Sequence, residues 1–168
     1  MNDAGYIRKI DELGRIVIPK EVRKKLKISD GENLIISAND KNINLSKYSY
    51  IENNHKFISL VGDKIAFLTG FNTIITDNEK IIYSNNSFRE SVISQKLKNY
   101  ITTRTSATFP NLEINKEEKI DGSIYIEPII ANSICMGLVI IYSNQEHDFL
   151  SKITKLTSNI ISIHIDES

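Results

Sequence analysis

The fold of the first third of the chain is decided by the stretch Gly5-Tyr-Ile-Arg-Lys-Ile-Asp-Glu-Leu-Gly-Arg-Ile-Val-Ile-Pro-Lys-Glu-Val-Arg-Lys24. Its side chains follow a period of two from residue 6 to residue 10, which predicts a β-strand. A turn is expected at 11–14, because Gly14 can adopt a positive φ angle without the clash that a Cβ would cause. The β-branched run at 15–18 predicts a second strand.

A short helix is predicted from Pro19 to Lys27. Proline suits the first helical position, where its missing N–H leaves no hydrogen bond unmade. Val22 and Leu26 fall on one face of this helix, and basic side chains surround the other faces. Between Arg8 and Lys27 the chain carries eight basic and three acidic residues. This excess predicts an anion-binding face, although an ordinary solvated helix face explains the charge equally well.

These residues resemble the AbrB family of bacterial transition-state regulators, whose domain is also called the swapped-hairpin or SpoVT-AbrB domain. The resemblance covers about the first fifty residues and rests on Gly5, 7–9, 11–15, 17–19, 21–24, Leu26, Ile28, Gly31 and the ending Leu45-x-Lys47-Tyr48. It implies that residues 1–50 form a dimeric swapped-hairpin β-barrel that binds DNA. The chain as a whole, with its long second part, is similar to the two-domain sporulation members of the AbrB/SpoVT family.

The resemblance also implies which side chains contact DNA. The residues that match the family's DNA-contacting positions are Arg8, Arg15, Arg23 and Lys24, with Lys9, Lys20 and Lys27 as neighbours that position phosphates. Lys24 stands where the family often has arginine, and lysine lacks the bidentate fork that reads a base. Specificity is therefore expected to come from the shape of flexible, A·T-rich DNA. From the residues alone, Arg15 could instead form a salt bridge with Asp11 or Glu12.

Residues 1–50 are too few to bury a comfortable core alone. After the helix, strands are predicted at 34–36 and 43–45, and the turn residues 39–42 make them a hairpin. The predicted order is β-β-α-β-β, with short strands and a small shared core. Both this argument and the resemblance predict a homodimer through residues 1–50.

Residues 51–168 are predicted to form a regulatory and oligomerisation domain that begins with the linker helix 51–69. The remaining predicted elements are strands at 73–76 and 81–83, a helix opened by the capping box Ser87-x-x-Glu90, a polar loop over 102–122 with one strand at 111–114, strands at 123–130 and 136–142, and a helix at 146–165. This order predicts an α+β fold, with an antiparallel sheet and the terminal helices on one face. It is similar to the GAF domain, a small-molecule-sensing module, so an unidentified small-molecule ligand is an open expectation.

Helices 51–69 and 146–165 carry apolar stripes at alternating spacings of three and four. The stripes consist of Ile51, Ile58, Val61, Ile65 and Leu68 in the first helix, and Phe149, Ile153, Leu156, Ile160 and Ile163 in the second. Two interpretations remain open: the stripes cover the domain's own sheet, or they join copies of the chain in a helical bundle. The second interpretation predicts a homotetramer.

Composition narrows the classes of function. Residues 1–50 have ten Lys and Arg against seven Asp and Glu, a net charge of +3, and residues 51–168 have eleven against fourteen, a net charge of −3. The single cysteine, Cys135, is expected to be a buried, unreactive thiol. His55, His147 and His164 lack ligand spacing, so no metal, cofactor or catalytic centre is predicted. The polar start and the short apolar runs predict neither a signal peptide nor a membrane span.

The leading hypothesis is a cytoplasmic, DNA-binding transcription regulator of sporulation or transition-state genes, and not an enzyme. The alternative is an antitoxin-type protein-binding module, because antitoxins use the same swapped-hairpin fold. Their C-terminal tails are disordered and acidic. The strand and helix patterns of residues 51–168 favour a folded second domain instead.

Overall fold

A computed structural model describes residues 5–28, 30–31, 33–86, 88 and 91–167 of the chain. The chain divides into two compact units, Met1–Tyr48 and Ser49–Ser168. We call the first unit the head and the second unit the body. The fold class is α+β, as predicted, with a hairpin in the head and an antiparallel sheet with helices in the body.

The described residues of the head form one helix and one hairpin. Helix α1 spans Lys20–Leu26 and is followed by Lys27 in the left-handed conformation at φ 53°. Strands β1 (Leu34–Ala38) and β2 (Ile43–Lys47) pair antiparallel, with Leu34 opposite Lys47 and Ala38 opposite Ile43. The hairpin turn is held by the side chain of Asn39, which accepts hydrogen bonds from the backbone N–H groups of Lys41 and Asn42. The predicted hairpin is thus present.

The two strands predicted at 6–10 and 15–18 are not formed within the described single chain. A turn does connect them, since Gly14 has a φ of 75° and its N–H donates to the carbonyl of Asp11 at 3.0 Å. A strand exists only when its backbone groups pair with another strand. The described bond nearest to such pairing joins Asp11 N of the turn to Arg15 O at 3.1 Å. Pro19 also differs from prediction, because it is the N-cap with φ −55° and ψ 145°, one residue before the helix.

The body contains the remaining secondary structure. Its elements are α2 (Tyr50–Asn53), α3 (His55–Thr69), β3 (Asn72–Thr76), β4 (Ile81–Ser84), α4 (Gln95–Thr103), β5 (Ala107–Glu113), β6 (Lys119–Ala131), β7 (Ile134–Ser143) and α5 (Leu150–Asp166). The five strands form one antiparallel sheet in the order β4-β3-β7-β6-β5. The predicted linker helix is therefore two helices, interrupted at Asn54, and it ends at Gly70, which has a left-handed φ of 70°.

Each face of the body's sheet carries its own apolar core. On one face, α2, α3 and α5 bury Ile51, Ile58 and Ile161 against strand residues such as Val139. On the other face, Leu97 of α4 packs among isoleucine side chains of the sheet. The terminal helices thus lie on one face of an antiparallel sheet, in agreement with the prediction.

Two predicted assignments in the body were wrong. Helix α4 begins later than the predicted capping box, because Ser94 is its N-cap and accepts a hydrogen bond from the N–H of Leu97 at 3.3 Å. Ser87 and Glu90 lie outside the described residues. The polar region 102–122 holds more strand than predicted, since β5 and the start of β6 pair with each other there. Alternate side chains of these two strand segments are exposed, so the sequence pattern resembled that of a polar loop.

The apolar stripe predicted in the last helix is mostly not the face that packs on the domain's own sheet, so the first of the two open interpretations does not hold for this helix. The residues of α5 buried against the sheet are Leu150, Thr154, Thr157, Ser158, Ile161 and Ile165. Three of these are polar, and their hydroxyl groups donate hydrogen bonds to the carbonyls of Leu150, Ile153 and Pro128 at 2.6–2.8 Å. Because these bonds remove the cost of burying a hydroxyl, a partly polar face can pack inward. The predicted stripe is largely exposed instead.

Candidate nucleic-acid interface

Arg15 lies immediately after the head's first turn and is paired with Asp11. Its Nε donates to Oδ2 of Asp11 at 2.7 Å. Oδ1 of the same carboxylate accepts the backbone N–H groups of Leu13 at 3.0 Å and of Arg15 at 2.8 Å. These donors lower the pKa of Asp11; the backbone N–H of Arg15 is the largest cause and its guanidinium the next. The salt bridge raised as an alternative for Arg15 is therefore present, and it engages only Nε among the described contacts.

The segment before this turn presents two more basic residues to solvent. Arg8 and Lys9 are exposed. The guanidinium of Arg8 lies 5.9 Å from the ring centroid of Tyr6, and its Nη1 donates to the carbonyl of Ile7 at 2.9 Å. Both contacts are local, so they leave the arginine on the surface where a phosphate can reach it.

Helix α1 gathers four basic residues around one open hollow. The residues that line this hollow, of about 570 Å³, are Lys20, Arg23, Lys24, Lys27, Ile28 and Asp30. Successive turns of the helix place 20, 24 and 27 on neighbouring positions of its surface. The left-handed Lys27 ends the helix, and Ile28 N closes it by donating to Arg23 O at 2.8 Å. We call this hollow the basic hollow.

One acidic residue, Asp30, reduces the positive charge of the basic hollow. Nη1 of Arg23 donates to Oδ1 of Asp30 at 2.8 Å, and the aspartate side chain is 95% exposed. An ion pair this exposed contributes little to stability, because water screens it. Its larger effect is to hold one end of the Arg23 side chain. Asp30 was not identified from the sequence; its only signal there was an acidic residue three positions after the predicted helix.

The predicted DNA-contacting residues thus fall into two groups. Lys20, Arg23 and Lys24 line the basic hollow together with Lys27. Arg8, Lys9 and Arg15 lie outside it, on the exposed segments around the first turn. No described contact joins the two groups within a single chain.

The body offers a second concave surface, a groove of about 700 Å³ at the start of α4. Its charged lining residues are Lys98, Lys116, Glu117 and Glu118. Lys98 pairs with Glu79, and Glu118 accepts the Asn115 side-chain amide at 2.5 Å. Within the described ranges, no group of His, Cys, Asp and Glu is arranged to hold a metal ion. None of the described helices has the length and apolar character needed to cross a membrane.

Comparison with known proteins assigns the body first. The family described as "Stage V sporulation protein T C-terminal, transcription factor" matches residues 55–165. Stage V sporulation protein T of Bacillus subtilis (strain 168) is 30% identical over 155 residues, which cover 87% of each chain. The chain belongs to the stage V sporulation protein T family.

The head of this family member matches two further descriptions. The transition state regulatory protein AbrB of Bacillus subtilis (strain 168) is 48% identical over 48 residues, 29% of this chain and 50% of that protein. The family "Antidote-toxin recognition MazE, bacterial antitoxin" matches residues 7–53. An antitoxin would carry a disordered acidic tail after this domain, whereas the body here is a five-stranded sheet with helices. The resemblance to AbrB-type regulators stated from the sequence is confirmed.

The fold of the body also has solved relatives. The GAF domain of PixJ from Thermosynechococcus elongatus, in its blue-light absorbing form, has a TM-score of 0.51 and 11% sequence identity, and the match covers 72% of this chain and 92% of that one. At this identity the likeness concerns the fold alone. The predicted GAF-like architecture is confirmed.

Proposed function

We propose that this protein is a DNA-binding transcription regulator of sporulation or transition-state genes. Its membership of the stage V sporulation protein T family supports this function. The observation that carries the DNA-binding part is the basic hollow, where three positive side chains of one short helix and that of its C-cap, Lys27, surround a concavity. Phosphates are the anions that such a surface fits, and contacts to them supply most non-specific affinity for DNA.

The head is proposed to act as a dimer. Among its described residues none has a buried side chain, and Ile7, Val17 and Ile36 are 93%, 75% and 71% exposed. A soluble domain does not leave so many large apolar side chains in water, so another surface must cover them. The occupant we propose is a second head, because residues 6–10 and 15–18 have strand-forming sequences and lack strand partners within one chain. Interleaving two copies would supply both the core and the missing strand pairs.

The proposed dimer would double the DNA-contacting set. Each copy contributes Arg8, Lys9, Arg15, Lys20, Arg23 and Lys24, and two copies related by symmetry would meet successive stretches of the duplex. Affinity would be mainly electrostatic, and preference for flexible A·T-rich sites would come from the cost of bending or narrowing DNA. Residues 1–50 would therefore bind DNA, and residues 51–168 would regulate and oligomerise the protein.

The body is proposed to join two such dimers into a tetramer. Helix α3 leaves Leu60, Phe67 and Leu68 exposed by 55%, 83% and 75%. On α5, Leu156, Ile160 and Ile163 are exposed by 52%, 37% and 57%. The two helices lie side by side over the same face of the sheet, since the rings of Phe57 and His164 stack with centroids 3.7 Å apart. A second copy of this helix pair would bury both apolar faces in a four-helix bundle.

Small-molecule sensing by the body is a subsidiary proposal. The specific observation is the groove at the start of α4, which presents both signs of charge. A zwitterionic metabolite such as an amino acid fits that lining. Thermal unfolding of the protein with a set of amino acids should reveal a stabilising ligand, and unchanged melting across the set would count against this role.

Because it would act on chromosomal genes, the regulator would work in the cytoplasm and need no catalytic activity.

DNA binding is tested by fluorescence anisotropy with an A·T-rich duplex over a range of salt concentrations. Each phosphate contact contributes a slope of about −0.9 in log K against log salt. Lys20→Ala should reduce the slope and weaken binding to all sequences alike. Lys41→Ala is the matched control, because Lys41 lies on the turn of the hairpin, far along the chain from the basic hollow. Binding that ignores salt, or equal effects of the two variants, would contradict the proposal.

A further inference from the structure

The turn before Arg15 contains a carboxylate with two separate partners. One oxygen of Asp11 holds the backbone of the turn, through the N–H groups of Leu13 and Arg15. The other oxygen holds the side chain of Arg15 at Nε, 2.7 Å away. The carboxylate side chain is 42% exposed and the arginine side chain 70% exposed, so the pair lies at the surface.

The negative charge of Asp11 lies among basic residues that are proposed to bind DNA, so its presence needs an explanation. Near DNA, a carboxylate repels the phosphates that the surrounding basic residues attract. Glu12, the next residue along the chain, carries the same charge and makes no hydrogen bond or ion pair among the described contacts. If both acids acted through charge alone, removing either would tighten DNA binding. The geometry distinguishes the two acids, because Asp11 holds the side chain of Arg15 and Glu12 does not.

We propose that Asp11 is a positioning residue for DNA binding, which holds the guanidinium of Arg15 by Nε and leaves its two Nη groups to contact the nucleic acid. This inference rests on the DNA-binding function proposed above. An arginine that is already held loses less conformational freedom when it binds, so more of its interaction with DNA appears as affinity. The planar guanidinium suits this role, because one nitrogen can be anchored while the others form the donor fork.

The protonation state of Asp11 is consistent with a permanent anchor. Its pKa lies below the ordinary value of 3.8, because the backbone N–H and the guanidinium of Arg15 both donate to the charged form. The carboxylate is therefore ionised at every pH used for DNA-binding measurements. Neither partner needs a conformational change to form the pair, since both belong to the same turn.

Asp11→Asn separates the two roles of the carboxylate. Asparagine keeps one carbonyl oxygen for the backbone N–H groups, but its amide nitrogen cannot accept a hydrogen bond from Nε. Positioning predicts that Asp11→Asn weakens binding to an A·T-rich duplex by about threefold to tenfold, although it removes a negative charge. Glu12→Gln makes the same charge change one residue away and should tighten binding by about twofold or leave it unchanged. Equal tightening by both variants would overturn the proposal.

A double-mutant cycle distinguishes positioning from a structural role. In the background of Arg15→Ala, adding Asp11→Asn should no longer weaken binding, because the side chain to be positioned is gone. The same loss of effect is expected in the background of Arg15→Lys, which keeps the charge without the guanidinium. Persistent weakening in both backgrounds would show that Asp11 acts through the fold of the turn and would refute positioning.

The outcomes also separate this inference from the proposed function. If the unchanged protein does not bind DNA, the DNA-binding assignment itself fails. If the protein binds DNA but Arg15→Ala binds as tightly, Arg15 is not a DNA contact and the positioning role of Asp11 fails with it. If the unchanged protein binds DNA, Arg15→Ala weakens binding, and Asp11→Asn binds DNA as tightly as Glu12→Gln, only the positioning role fails. Circular dichroism and light scattering on every variant check that the fold and the mass of the full chain are unchanged.

Discussion

The hydroxyl of Ser158 in α5 donates a 2.6 Å hydrogen bond to the carbonyl oxygen of Pro128 in β6. Ser158 is 2% exposed, so this bond lies inside the layer between helix and sheet. It ties α5 to β6 at a point where an apolar contact would have been expected. The bond explains why the face of α5 that packs on the sheet can contain a serine, whereas its two threonines donate to carbonyls of the helix itself.

Ser158→Ala should destabilise the body by about 1–3 kcal/mol, because it leaves a buried carbonyl without its side-chain donor. Urea unfolding followed by circular dichroism measures this change. Ser162→Ala is the matched control on the same helix, since the hydroxyl of Ser162 donates only to the carbonyl of Ser158, one turn back, at 3.0 Å. We expect the control to change stability by less than about 0.5 kcal/mol. Equal effects would show that the link to β6 contributes nothing specific.

The same helix shows how far the sequence could predict this fold. Local signals succeeded where one residue determines the backbone, as at Gly70, which ends α3, and in the turn at 39–42, which forms the hairpin. They failed where burial depends on a distant partner. The face of α5 could not be predicted because a buried hydroxyl is acceptable only when a carbonyl such as that of Pro128 is within reach. The strands at 6–10 and 15–18 likewise depend on a partner that the single chain does not supply.

The candidate site was partly predictable for the same reason. The resemblance named the basic residues, and helical spacing explains why Lys20, Lys24 and Lys27 border one hollow. Asp11 could be named from the sequence as a partner of Arg15, but the acidic partner of Arg23 could not. The bond between Arg23 and Asp30 spans seven residues and requires the left-handed turn at Lys27. Only the three-dimensional path of the chain brings that carboxylate back to the helix.

Phe67→Ser should convert a tetramer into dimers, because it removes a large apolar side chain from the proposed bundle face without touching the core. Phe67 is 83% exposed in the single chain, whereas Ile58 of the same helix is 0% exposed. Light scattering at micromolar concentration should therefore report a reduced mass for a folded Phe67→Ser variant. Ile58→Ser should instead unfold the body, since replacing a buried isoleucine costs about 2–5 kcal/mol.

Val92→Ser is the control for this experiment. Val92 is 64% exposed, and its neighbour Ile93 belongs to the apolar core on the face of the sheet opposite to α3 and α5. The Val92→Ser variant should leave the mass of the assembly unchanged. The dimeric Phe67→Ser variant should also bind DNA more weakly. In a tetramer, binding of one pair of heads raises the effective concentration of the other pair at a neighbouring site on the same DNA. A dimer mass for the unchanged protein would refute the tetramer while leaving the DNA-binding proposal intact.

Cys135 should resist alkylation in the folded protein. Its side chain is buried, as predicted, and is 5% exposed. Burial raises the pKa of the thiol above its ordinary value, and the thiol donates a hydrogen bond to the Gly137 carbonyl at 3.4 Å. The reactive thiolate is therefore scarce near neutral pH. Mass spectrometry after iodoacetamide treatment should show slow modification in buffer and rapid modification in urea, and equal rates would indicate that the strand opens readily.

Arg15→Ala should raise the pKa of Asp11 toward its usual value. In the folded protein that pKa is lowered, chiefly by the backbone N–H of Arg15 and then by its guanidinium, so the substitution removes the second cause and keeps the first. A depressed pKa means that the folded turn favours the carboxylate. The turn's stabilisation is then present above the unfolded-state value of about 3.9 and is lost as the pH falls through the lower folded value.

An NMR titration of the Asp11 carboxyl carbon measures both midpoints directly. The unchanged protein should titrate below the variant, and neither should titrate near neutral pH. DNA binding between pH 6 and pH 8 should accordingly show no step attributable to Asp11. Coincident midpoints in the two proteins would mean that the guanidinium does not interact with the carboxylate in solution, and the pairing that holds Arg15 ready for DNA would be absent.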